Sequence, residues 1–149
     1  VAMDRAMLVT VLYRLDGSPD VSEYENRFSD VSSSQYCYDA LLWGSHNNIS
    51  NGYSDGRFAP DDPLTREQLV TFLHRYANYK GYDTSSQASL AGYTDGSSVA
   101  DYARAAVAWA VQSGIINGVG SSRLSPASGA TRAQAAAVLM RLCQKYTAA

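Results

Sequence analysis

The sequence predicts an all-α fold of helix–loop–helix repeats in which the first repeat is incomplete. Three observations carry this expectation. The stretch ISNGYSDGRFAPDDPLTREQ, from Ile49 to Gln68, returns 66 residues later as IINGVGSSRLSPASGATRAQ, with eight identical positions and Phe58/Leu124 as an apolar equivalent. In both copies Thr-Arg-x-Gln opens an apolar periodicity of helical spacing. A third, partial copy opens the chain, with Asp4-Arg5 lying 61 residues before Thr65-Arg66 and Arg14 lying 61 before Arg75.

Taken in order, residues 1–15 are the tail of a first motif. Asp4 can cap its helix, although Met7 cannot close a capping box. Met7, Leu8, Val11, Leu12 and Leu15 form its apolar stripe. A polar linker, 16–27, leads to a complete motif at 28–79, and a second linker, 80–92, leads to another at 93–146. Each complete motif opens on an aromatic-x-Asp, FSDV at 28–31 and YTDG at 93–96. First helices follow at 36–47 and 100–113, the latter with apolar positions 102, 106, 109 and 110. They end at Asn48 and Gly114, the residue types that best adopt a left-handed cap. Second helices begin at Thr65 and Thr131, with buried stripes at 69, 70, 72, 73 and 76 and at 138, 139 and 142. The loops leave room for a short extended pairing. The whole of 1–149 reads as one domain.

Length and composition bound the function. A chain of 149 residues can bury roughly 68–70% of its unfolded surface, enough for one good core. A hydrophobic content of 46% with 17% charged residues reads as a soluble globular domain. A net charge of −2 argues against nucleic acid or an anionic membrane as partner. No apolar run approaches the ~20 residues of a membrane span. The chain opens inside a helical segment with no signal peptide, as a fragment or mature product would. Cys37 and Cys143 lack metal-site spacing, and read either as buried small apolar residues or as a single disulfide.

The acidic SDGRFAPDD suggests calcium, but the second copy offers no carboxylate where calcium would need several, so no metal is expected. The loop is instead held by its backbone. Gly52 and Gly118 permit a positive φ or a close approach of another group. His46 and His74 align with Gln112 and Met140, so neither is repeated, and no nucleophile elbow or phosphate loop is present. Arg5, Arg66 and Arg132 each follow the cap, where a cation opposes the helix dipole. Two explanations stand: each pairs with a carboxylate such as Asp30 or Asp95 across a repeat interface, or each joins exposed helix N–H groups in an anion site. Trp43, Trp109, Tyr36 and Tyr102 fall on the first helices, either as core or, one per repeat, as a stacking surface for a sugar ring.

These residues in register, an aromatic-x-Asp, an aromatic then Trp on the first helix, a glycine loop, x-F-x-P, and T-R-x-Q opening the second helix, resemble the S-layer homology (SLH) domain. The resemblance covers almost the whole chain outside the linkers. It implies a pseudo-threefold helical spindle with grooves between motifs. It also implies a non-catalytic, cofactor-free anchor that binds an anionic, often pyruvylated, secondary cell-wall polysaccharide of Gram-positive bacteria and holds exported proteins at the cell surface. The family's groove-lining positions fall on Arg5, Arg66 and Arg132, on Gly52 and Gly118, and on Asp30 and Asp95. Asp4, Asn48 and Gly96 depart from the usual Thr, Gly and Val. The missing half of the first motif leads to the expectation that a second protein chain, or a separated part of a longer one, covers the opening helix. A self-association or docking module is the alternative. An enzyme would instead need unrepeated acids such as Asp39 or Glu67.

Overall fold

In the computed structural model, residues 1–116 and 123–147 are described, the last without its side chain. They form five α-helices and no sheet: α1 Arg5–Leu15, α2 Tyr38–His46, α3 Arg66–Tyr79, α4 Arg104–Gln112 and α5 Arg132–Thr147. Two short 3₁₀ turns, Gly96–Ser98 and Asp101–Ala103, precede α4. The extended pairing comes as isolated bridges, and between described residues these are the antiparallel pairs Ala2–Thr131, Asp4–Pro63 and Thr65–Gly129. None of the described helices is long and apolar enough to cross a membrane.

The helix ends follow the residues expected to make them. Asp4 accepts the Met7 N–H at 2.8 Å. Thr65 and Gln68 close a capping box, the Thr65 hydroxyl accepting from the Gln68 N–H at 3.2 Å and the Gln68 side chain from the Thr65 N–H at 3.0 Å. Thr131 and Gln134 repeat it, both bonds at 3.0 Å. Asn48 and Gly114 turn the chain at φ +59° and +71°. The starts of the first helices are later than predicted. Cys37 offers no side-chain cap, so α2 begins at Tyr38. Residues 101–103 wind as 3₁₀, three residues per turn, which shifts the buried register. Tyr102 is consequently 55% exposed and Val107 is buried in the core.

Two compact units are present, residues 3–63 and residues 1–2 with 64–149. In the first, α1 packs on α2; in the second, α3 packs on α4, with α5 in the same unit. The packing unit is thus offset by half a repeat from the sequence repeat: the second helix of one motif lies on the first helix of the next. This corrects the expectation for the opening helix. Leu8, Val9 and Leu12 are fully buried within the first unit, so no second chain is needed to cover them, while Val11 and Leu15 remain exposed.

Each unit buries one tryptophan. Trp43 lies 5.6 Å from Tyr13, and Trp109 lies 5.1 Å from His74, the residue 61 positions after Tyr13. In the second unit Tyr146 accepts from Trp109 Nε1 at 2.9 Å and donates to the Asp83 carbonyl at 2.8 Å, which fastens the linker. Cys37 is buried and Cys143 half-buried; neither is in a disulfide.

Candidate functional site

The three bridges share one register. Asp4 pairs with Pro63, Thr65 with Gly129, and Thr131 with Ala2; each helix cap meets the residue two positions before another cap. The first helical N–H groups are consumed by the same strand-like loops. Arg5 and Ala6 donate to the carbonyls of Asp62 and Pro60, both at 3.1 Å. Arg66 and Glu67 donate to Ser128 and Pro126 at 2.8 and 3.0 Å, and Arg132 donates to Val1 at 2.9 Å. The anion site built on exposed helix N–H groups is therefore corrected, because loop carbonyls already occupy these donors. They also answer the dipole objection. The α1 and α3 N-termini face inward-pointing carbonyl dipoles, among which a cation is welcome.

The arginine side chains read the same loops. Arg5 Nε donates to the Phe58 carbonyl at 3.0 Å, and Arg66 Nε donates to the equivalent Leu124 carbonyl at 2.9 Å. The aspartates take the other side of the same residues. Asp30 accepts the N–H groups of Phe58 and Ala59, each at 2.8 Å. Asp95 accepts those of Leu124 and Ser125 at 2.8 and 2.9 Å. Ala59 and Ser125 stand at φ +59° and +51°, a left-handed conformation that costs a non-glycine residue about 1–2 kcal/mol. The carboxylate offsets that cost by tying down two consecutive N–H groups. One loop residue is thus bracketed in each unit, its carbonyl by the arginine of one motif and its N–H by the aspartate of the next.

The electrostatics agree. The backbone N–H of Leu124, ahead of that of Ser125, holds the Asp95 carboxyl below its ordinary range. Burial pushes the Arg66 guanidinium downward, and the Asp95 charge opposes that shift. The carboxylate partner expected for Arg66 therefore acts on it through space while sharing the Leu124 backbone.

Of the residues singled out by sequence, the first unit brings together Arg5, Asp30 and Gly52, and the second brings together Arg66 and Asp95. Gly118 lies outside the described residues. Arg132 is exposed at the start of α5. Gly52 needs no positive φ: a Cβ there would sit 2.5 Å from the Arg57 carbonyl oxygen and 2.6 Å from Phe28 Cε1. The close approach is real, and it is made by the chain itself. Gly96 has a similar reason, since a Cβ would collide with the Leu90 carbonyl, whereas Val31 at the matching position is an ordinary buried residue.

A crevice beside Arg66, lined also by Glu67, Val70, Val107, Ile116, Leu124 and Pro126, holds only about 10 Å³. That is room for about one water. Glu67, the unrepeated acid, accepts the Ala100 N–H at 3.0 Å and has a structural use. His46 stacks on Tyr24 with ring centroids 3.8 Å apart. The tryptophans are core, whereas Tyr36 and Tyr102 are 63% and 55% exposed. Sequence reasoning missed Tyr53, whose ring lies 4.8 Å from the Arg5 guanidinium carbon. It also missed the left-handed residues, because Ala and Ser give no local signal for that conformation.

Comparison with known proteins follows the same register. Residues 27–70 and 92–136 match the S-layer homology domain. The chain is 32% identical over 142 residues to an amylopullulanase of Thermoanaerobacterium thermosulfurigenes, covering 95% of this chain and 8% of that protein. It is 28% identical to a surface-layer 125 kDa protein of Lysinibacillus sphaericus, covering 97% and 12%. It is 23% identical to a cellulosome-anchoring protein of Acetivibrio thermocellus, covering 95% and 32%. The chain thus spans between 8% and 32% of the length of these relatives. With two matched motifs over more than half its length, and the repeated Thr-Arg-x-Gln helix starts in place, this chain belongs to the S-layer homology domain family.

Proposed function

We propose that this chain is a non-catalytic anchoring module of a larger exported protein, held at the cell surface by an anionic secondary cell-wall polysaccharide, with pyruvylated polymer of a Gram-positive wall as the specific expectation. The observation that carries this reading is the repeated bracket. Both units hold the same loop peptide with the same Arg and Asp, although the loop's own carboxylates are not repeated. A site that keeps its arginine and backbone geometry while varying its acids suits an anionic ligand. Family membership and the surface-layer and cellulosome-anchoring relatives support the cell-surface location.

Co-sedimentation with purified sacculi tests it. The chain should bind intact sacculi and lose binding once the non-peptidoglycan polymer is extracted. Equal binding before and after extraction contradicts the proposal. Self-association is the rival reading, and exposed Val11 and Leu15 on α1 are the surface it would use.

A further inference from the structure

The chain contains one kind of helix-on-helix contact twice, and a third seat for it on α5. In the first unit α2 lies on α1, where Val9 and Leu12 are fully buried and Tyr13 meets Trp43. In the second, α4 lies on α3, where the aligned Val70 and Leu73 are buried and His74 meets Trp109. On α5 the aligned residues are Ala136, Leu139 and Met140. Ala136 is exposed, Leu139 is half-buried and Met140 is 54% exposed, although the adjoining stripe of Ala135, Val138 and Leu142 is buried. Exposure on α5 thus falls on the face that α1 and α3 give to a first helix.

The loop register leads to the same face. The loop after each first helix ends on the cap of the helix beneath it: Asp62 and Pro63 after α2 meet the start of α1, and Ser128 and Gly129 after α4 meet the start of α3. Val1 and Ala2 hold these two positions at the start of α5. The Val1 carbonyl accepts the Arg132 N–H at 2.9 Å, and Ala2 bridges Thr131. Both first helices are nine residues long, and each stops 17 residues before its bridging residue. Their buried faces agree in type, with Ala40, Leu41 and Trp43 matching Ala106, Val107 and Trp109. Met140 stands where Tyr13 and His74 meet a tryptophan, and a flexible thioether also makes favourable contacts with aromatic rings.

We infer that the Ala136–Leu139–Met140 face of α5 seats a further tryptophan-bearing helix of the α2 and α4 type, supplied by the polypeptide ahead of Val1 in the parent protein. The inference is independent of the polymer reading. It places the apolar surface left open by the incomplete first motif on the last helix, not on the opening one.

Peroxide oxidation of methionine, read by mass spectrometry, tests this. In the 149-residue chain Met140 should oxidise well before Met3, which is 6% exposed. In the parent protein Met140 should be protected at least about tenfold relative to the 149-residue chain, because oxidation follows the time the face stays open. A copy of residues 28–61 placed ahead of Val1 restores the loop register and should give similar protection, and Trp43→Asp within that copy should abolish it. Stability supplies a second readout. Met140→Lys should leave the melting midpoint of the 149-residue chain unchanged and lower that of the lengthened chain by about 3 °C or more. Equal oxidation of Met140 and Met3 in the 149-residue chain, or an unprotected Met140 in the parent protein, overturns the inference. Protection that grows with concentration of the 149-residue chain, with a dimer by light scattering, overturns it too and assigns the face to a second copy.

Discussion

Arg66 donates from Nε to the carbonyl oxygen of Leu124 at 2.9 Å, across 58 residues of sequence and from one SLH motif into the next. Arg5 makes the same bond to Phe58, 53 residues away. The arginines placed against the helix dipole at Arg5 and Arg66 are therefore connectors: in both cases the second helix of one motif organises the loop of the next. This links a sequence oddity to packing, and packing to the surface where a ligand would lie.

The aspartate half of the bracket should matter for stability. Asp30→Ala removes the acceptor for the Phe58 and Ala59 N–H groups and leaves Ala59 in its left-handed conformation without support. Urea unfolding should show a loss of about 1.5–3 kcal/mol, the range for hydrogen bonds to a charged group. An unchanged midpoint would mean that the loop holds its shape without the carboxylate.

Gly52→Ala should destabilise although Ala tolerates the backbone angles. Its Cβ must push away either the Arg57 carbonyl or the Phe28 ring, and overpacking of this kind costs about 1–3 kcal/mol. Thermal melts of Gly52→Ala beside Gly56→Ala separate the causes. Gly56 has open space around it and a φ of +88°, so its penalty is conformational and should be relieved by Asn, whereas Gly52→Asn should be worse than Gly52→Ala.

Removing either capping box should cost less. Thr65→Ala and Thr131→Ala each lose a cap, worth about 0.5–2 kcal/mol. Chemical denaturation of the two single variants checks this, and Ser at either position should recover most of the loss.

Much of this was legible in the sequence. Repetition at 66 residues located the helices, and Asn48 substituting for Gly114 identified the left-handed caps, because few residue types adopt that conformation. The offset packing was hidden, since periodicity shows which face of a helix is apolar but not which helix covers it. Leu8 and Leu12 were readable as core, while Val11 and Leu15, of the same type and on the same helix, stay exposed. At the site, Arg66 and Asp95 were visible as repeated residues, but their meeting point is the backbone of Leu124, and a backbone group carries no sequence signature. Tyr53 escaped notice because it occurs in one motif only.

Stability should fall in two steps on acidification. Burial, then the neighbouring Arg75 charge, pushes the His74 imidazole below its ordinary value of 6.5, so the fold prefers the neutral ring. That contribution is complete above the unfolded value and shrinks as pH falls through 6.5 toward the folded one. His74→Phe, which keeps a ring against Trp109, should flatten this step. The second step comes lower. Asp95, held down by the Leu124 N–H, and Asp55, held down by the Arg57 side chain, contribute above the unfolded carboxyl value of 3.8 and lose that contribution as pH falls below it. Melting temperature against pH from 8 to 2 is the measurement. A flat profile between roughly pH 7 and 5 in the wild type would show that His74 does not couple folding to pH.

The Arg66 bracket holds the Leu124 loop and, under the proposed function, is also the seat of anionic-polymer binding. Co-sedimentation of Arg66→Ala and Arg66→Lys with polymer-bearing sacculi, read beside urea unfolding of the same samples, separates the two roles. Arg66→Ala should stay folded at neutral pH yet bind at least about tenfold more weakly, with Lys restoring charge but only part of the affinity because it lacks the planar donor set. Wild-type affinity in the folded Arg66→Ala chain would show that Arg66 takes no part in polymer binding.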